Sequence, residues 1–178
     1  MGELAAELVN LLTPEEKRDV LLHYARRFAC DTLVETGTFF GDTVAWAQEH
    51  FAEVHSIELS PDLFARACQR FAGIGNVRLY MGDSAVVLPV VLNSVADRRP
   101  LFWLDAHCSG GITAGDPDHP PLAAELRTVF GARQDVVVLI DDGRGLDLDQ
   151  VRGDAVECAP QHEFEFKDDI IRLTPKLQ

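Results

Sequence analysis

Five short apolar segments of this sequence each run into a carboxylate: Glu35, Glu58, Asp83, Asp105, and the pair Asp141 and Asp142. Carboxylates accept hydrogen bonds from hydroxyl and N–H groups and attract cations, so such a series suits a cationic or hydroxyl-rich ligand. The first acid opens the run Glu35-Thr36-Gly37-Thr38-Phe39-Phe40-Gly41-Asp42-Thr43, spaced E-x-G-x-x-x-G. Gly37 lets the backbone turn tightly and approach a ligand closely. Gly41 lets a helix start near the sheet, and N–H groups at a helix start favour a negative group, such as the carboxylate of a bound amino acid. The spacing is not the G-x-G-x-x-G of nicotinamide and flavin enzymes, and no Lys follows to make a phosphate loop. Glu58 lies twenty-three residues beyond Glu35, about the spacing at which an acid accepts ribose hydroxyls in dinucleotide sites. Asp83 and Ser84 offer a carboxylate and a hydroxyl to the edge of an adenine ring. His107 is the candidate general base, because an imidazole of pKa about 6.5 takes protons near neutrality. His119, Glu125 and Arg144 rank second, with Glu125 expected on a solvent-facing helix surface. His23, His50, His55 and His162 read as ordinary helix and strand positions.

These acids need strands that end together. The expected fold class is α/β, a doubly wound, mostly parallel seven-stranded sheet with helices on both faces. Strands are expected over 32–35, 53–59, 76–81, 101–106 and 136–140, and helices over 41–51, 60–71, 84–95 and 121–130. Short, fully apolar strands alternating with amphipathic helices imply a parallel sheet covered on both sides. Residues 163–166 and 170–173, joined by Lys167-Asp168-Asp169, read as an antiparallel hairpin. In open α/β sheets ligands bind outside the carboxyl ends of the strands, where all these acids fall. Residues 1–30 read as two helices, one carrying Leu4, Leu8, Leu11 and Leu12. The other begins at Thr13-Pro14-Glu15-Glu16, with Thr13 as N-cap, Pro14 first in the helix and Glu16 completing a capping box.

The 178 residues fit a single domain spanning 1–178, with N-terminal helices over 1–30 and the core over 31–178. Apolar residues make up 47% and charged residues 25%, ordinary for a globular protein. The formal charge of −13 and the scarcity of Lys and Arg clusters, with only short pairs such as Arg26-Arg27 and Arg98-Arg99, argue against a nucleic-acid partner. No apolar run reaches membrane-spanning length, and the start lacks the features of a secretory signal, so no membrane association and a cytoplasmic location are expected. Cys30, Cys68, Cys108 and Cys158 show no metal or disulfide spacing and read as free thiols.

The ordered series VETGTFFGDT, HSIELS, YMGDSAVVL, FWLDAH and VVLIDDGRG resembles the motif series of the class I S-adenosylmethionine-dependent methyltransferases, over about residues 30–145. The resemblance implies S-adenosylmethionine as cofactor. Glu35, Gly37, Thr38 and Gly41 would surround its methionine part, with Thr43 near the amino or carboxylate group and Asp105 bordering it. Glu58 would hold the ribose, and Asp83 and Ser84 the adenine. FWLDAH followed by VLIDDG is similar to the small bacterial O-methyltransferases of the catechol and natural-product type. That likeness implies a small-molecule acceptor methylated on oxygen, His107 and Asp105 as catalytic residues, and a Mg²⁺ ion on Asp105, Asp141 and Asp142. Three converging carboxylates need a compensating cation or proton, and oxygen-only ligands suit Mg²⁺. Here His107 stands two residues after the acid, where the catechol enzymes have histidine directly after it. A second reading has Asp142 capping a turn and Asp141 orienting the loop. A nicotinamide-dependent oxidoreductase, a metal-dependent hydrolase using Asp105, His107, Asp141 and Asp142, and a non-catalytic binding module stay open as alternatives. So small a chain would suit a homodimer that completes the pocket.

Overall fold

The structure, a computed structural model, describes residues 11–105 and 122–176. Along the chain these form α1 (Pro14–Arg27), β1 (Thr32–Thr36), α2 (Asp42–Ala47), β2 (Glu53–Glu58) and α3 (Pro61–Arg70). Then come β3 (Val77–Met81), α4 (Ser84–Ser94), β4 (Pro100–Leu104), α5 (Leu122–Ala132) and β5 (Val137–Ile140). A 3₁₀ turn (Gly143–Gly145), α6 (Leu148–Cys158), β6 (His162–Lys167) and β7 (Ile170–Pro175) complete the order. The helix starts follow local chemistry. Thr13 accepts from the Glu16 N–H while the Glu16 carboxylate accepts from the Thr13 N–H at 2.7 Å, the expected capping box. Ser60 and Asp83 cap α3 and α4 with their side chains, accepting from the Leu63 and Ala85 N–H groups.

The strands form one seven-stranded sheet in the order β3-β2-β1-β4-β5-β7-β6. β1 to β5 run parallel and β7 is antiparallel to both neighbours. The expected hairpin thus closes a parallel sheet. Side chains alternate across a strand, so each strand feeds two cores. Val34, Phe102, Val138 and Ile140 pack with buried residues of α4, α5 and α6. Leu33, Val54, Leu101, Trp103 and Leu139 face the other way and pack with residues of α1, α2 and α3.

Several boundaries differ from expectation. α2 is short because its last residues tighten into a turn, with Glu49 and His50 N–H bonding to Trp46 and Ala47 carbonyls. α6 had no expected counterpart. Of the first expected helix, Leu4 and Leu8 lie outside the described residues, and Leu11 and Leu12 form a non-helical lead into α1. Among the described residues, no helix is long and apolar enough to cross a membrane.

Candidate functional site

The strand order reverses direction between β1 and β4, where open α/β sheets make a crevice at the strand carboxyl ends. Alternation then decides which acids meet. Glu35 shares a face with Leu33, Glu58 with Val54 and Ser56, Asp105 with Leu101 and Trp103, and Asp141 with Val137 and Leu139. That is the face of α1, α2 and α3. The Asp105 and Asp141 N–H groups extend the ladder one step past the strands, to Thr36 and Leu104 carbonyls at 3.0 and 3.1 Å.

Glu35 is buried, with 2% of its surface exposed. Ser56, its register partner on β2, donates to Glu35 Oε2 at 2.5 Å, and the Thr38 hydroxyl lies 2.6 Å from Ser56 Oγ. Burial pushes the Glu35 carboxyl up to about 8; the Ser56 and Thr43 hydroxyls counter this, while negative Asp105 and Glu58 reinforce it. Glu35 therefore holds a proton near neutrality, and a cation placed beside it would favour the ionised form, the proton leaving to solvent.

The loop between β1 and α2 is shaped by positive φ at Gly37, Phe39 and Gly41. A Cβ on Gly41 would come within 2.7 Å of the Phe71 ring, so only glycine fits where α2 begins. Glu58, also buried, is clamped by backbone: Oε2 accepts from Phe39 N–H and Oε1 from Ser60 N–H, each at 2.8 Å. It ties the two loops together, and each oxygen keeps a second lone pair for a ligand hydroxyl. Asp83 accepts from the Ala85 N–H at 2.9 Å as N-cap of α4, and Ser84 beside it is buried. Leu59 and Met81, next to Glu58 and opposite it across β3, are large apolar side chains left exposed.

The other end of the site is a cavity of about 450 Å³ beneath α1. Lys17, Asp42, Thr43, Trp103, Asp105 and Asp141 line it. Asp105, Asp141 and Asp142 bring oxygens within 4.8 Å of one another. What already surrounds this donor set decides whether a divalent ion fits. Lys17 Nζ donates to Asp141 Oδ2 at 2.7 Å and to Asp142 Oδ1 at 3.2 Å. Asp141 Oδ1 accepts from the Asp142 N–H at 2.9 Å, while the Asp142 side chain makes no cap hydrogen bond to the turn it begins. Asp142 itself adopts a left-handed φ of 51° at the start of the 3₁₀ turn. The acids thus converge as the metal reading requires, yet the Lys17 ammonium already engages two of the three, and the set as folded does not fit Mg²⁺. Burial drives the Asp141 carboxyl up to about 6, against the pull of Lys17.

His107, Cys108 and His119 lie outside the described residues. Glu125 is buried rather than solvent-facing, because it follows Leu122 and precedes Val129 on the inward stripe of α5. Arg144 is turned toward the hairpin, bonding Asp169 through its N–H at 2.7 Å and its guanidinium at 3.2 Å. His55 and His162 are buried strand residues held by Tyr80 and the Val136 carbonyl. Sequence reasoning missed Ser56 and Lys17. Ser56 was findable, since it lies two residues before Glu58 and so on the same strand face.

No family model and no curated protein matches the sequence. Solved structures do match. An O-methyltransferase from Bacillus cereus in complex with S-adenosylhomocysteine aligns over 94% of this chain and 83% of its own, with a TM-score of 0.60 at 13% identity. The O-methyltransferase TomG from Streptomyces achromogenes, involved in tomaymycin synthesis and solved with S-adenosylmethionine, aligns over 96% and 84%, with a TM-score of 0.58 at 18% identity. A TehB-like S-adenosylmethionine-dependent methyltransferase from Corynebacterium glutamicum aligns over 92% and 100%, with a TM-score of 0.54 at 16% identity. The chain has the class I methyltransferase fold. In that fold the crevice between β1 and β4 carries Glu35, Glu58 and Asp105 on one face, beside the loop of residues 37–41.

Proposed function

We propose that this chain transfers a methyl group from S-adenosylmethionine to an oxygen of a small-molecule acceptor. The observation that carries the reading is the meeting of Glu35, Glu58 and Asp105 at the point where the class I methyltransferase sheet reverses its strand order. Residues 37–41 would pass close to the methionine part, with Thr43 and the start of α2 beside its carboxylate. Glu35 and Asp105 would face its ammonium and sulfonium charges. Glu58 would receive the ribose hydroxyls, and Asp83, Ser84, Leu59 and Met81 the adenine. The acceptor would enter the cavity beneath α1. Its oxygen attacks the methyl carbon in line with the breaking S–C bond, whose electrons pass to sulfur to give S-adenosylhomocysteine. The sulfonium already activates the methyl, so the protein supplies mainly alignment, with reacting atoms about 3–3.5 Å apart. His107, two residues beyond Asp105, is the proposed acceptor of the proton. A homodimer and a cytoplasmic location remain proposals of the same reading.

Titration with S-adenosylhomocysteine tests the donor site. At about a hundred times its Kd, the product is expected to stabilise the fold by about 2.7 kcal/mol and raise Tm by roughly 5–10 °C. Glu58→Gln is expected to weaken binding about 10- to 100-fold, since hydrogen bonds to charged groups contribute about 1.5–3 kcal/mol. Unchanged affinity in a folded Glu58→Gln protein would remove the ribose assignment. No calorimetric response in wild-type protein would remove the donor.

A further inference from the structure

We propose that the Lys17 ammonium is the resident cation of the Asp105, Asp141 and Asp142 cluster, and that it makes this site independent of divalent metal. The proposal deepens the methyl-transfer reading, but its metal test stands whether or not the donor binds. Lys17 reaches two of the three acids at 2.7 and 3.2 Å. Both oxygens of Asp141 are engaged, Oδ2 by the ammonium and Oδ1 by the Asp142 N–H, and each keeps one further lone pair. A divalent ion drawing on Asp141 Oδ2 and Asp142 Oδ1 would have to displace the ammonium from both.

The placement of Lys17 is built. Thr13 and Glu16 fix the start of α1, and the Lys17 N–H bonds the Thr13 carbonyl at 2.9 Å, so the side chain leaves from the first turn at a set angle. A lysine there works against the helix dipole, which favours acids at that end. The carboxylates across the cavity offset this. Leu12, Leu21 and Trp103 line the same cavity as the lysine. An ammonium carries three N–H groups, and the two acids engage two of them. The third would be left to serve an acceptor oxygen entering the cavity, the task a metal ion would otherwise perform.

Mn²⁺ serves as the probe, with calorimetry and thermal unfolding as readouts on the full chain. Wild-type protein is expected to show no saturable Mn²⁺ binding and no Mn²⁺-dependent change in Tm. Lys17→Met is expected to gain one Mn²⁺ site at least tenfold tighter than any in wild type, and Lys17→Met with Asp141→Asn to lose it again. Wild type binding Mn²⁺ as tightly as Lys17→Met, or a folded Lys17→Met that gains no site, overturns the proposal. Should Lys17→Met fail to fold, Lys17→Gln takes its place, and a Mn²⁺-dependent rise in wild-type Tm overturns the proposal by itself. S-adenosylhomocysteine is titrated into the same samples. Silence there with the metal results as expected sinks the donor reading and leaves this one standing.

Discussion

Glu35 is where burial and charge meet most sharply. Its carboxyl is raised from 4.5 to about 8 by burial, so the folded chain keeps a proton that the unfolded chain has lost. Stability therefore falls as pH rises between those two values, because the unfolded state binds fewer protons there. Glu35→Gln is expected to flatten that slope, read from urea unfolding at pH 5 and pH 8; an unchanged slope would place its source elsewhere. A cationic ligand beside Glu35 favours its ionised form. Binding of S-adenosylmethionine near pH 7 is then expected to release up to one proton, seen as a dependence of calorimetric heat on buffer ionisation, and Glu35→Gln is expected to release none. Glu35 and Glu58 were legible in the sequence because strand-terminal acids stand out against apolar neighbours. Lys17 was not. Its partners lie 124 and 125 residues away, and nothing in the first turn of a helix tells which way a lysine points.

At the level of elements, the reading succeeded wherever a local rule was strong. Thr13-Pro14 and Ser60-Pro61 mark α1 and α3 by cap chemistry alone. The five aliphatic residues before Asp141 could only be a buried strand. α6 escaped because its inward stripe is thin, with Val151 and Ala155 as its buried residues and charges around them. The turn into α2 carries a sharper constraint than any helix. Gly41 sits at φ 78° with the Phe71 ring 2.7 Å from where a Cβ would lie. Gly41→Ala is expected to cost about 1–3 kcal/mol in urea unfolding and to weaken donor binding with it, since strained backbone at such positions costs about that much. Thr13→Ala is expected to cost about 1 kcal/mol by removing the cap of α1. If Lys17 is held by that cap, the same variant admits Mn²⁺ more readily than wild type.

Across the whole molecule, the strand order and the alternation of side chains concentrate acid on one edge. The sequence shows five parallel strands and a hairpin, but not that β4 lies beside β1, which is a matter of crossover packing rather than of any local pattern. Once that order exists, Glu35, Glu58, Asp105 and Asp141 share a face, within a chain whose formal charge is −13. Such a field attracts the sulfonium of S-adenosylmethionine, while S-adenosylhomocysteine has lost that charge and keeps the remaining groups. Salt shortens the reach of exposed charges from about 8 Å at physiological strength to about 3 Å at 1 M. Raising the salt is therefore expected to weaken binding of the donor more than that of its product, narrowing the ratio of their Kd values by a few-fold. The slope belongs to charges reached through solvent; Glu35 and Glu58, being buried, are screened much less. A ratio that stays constant with salt would mean that the acids act on the donor by direct hydrogen bonds, with no part played by the acidic edge as a whole.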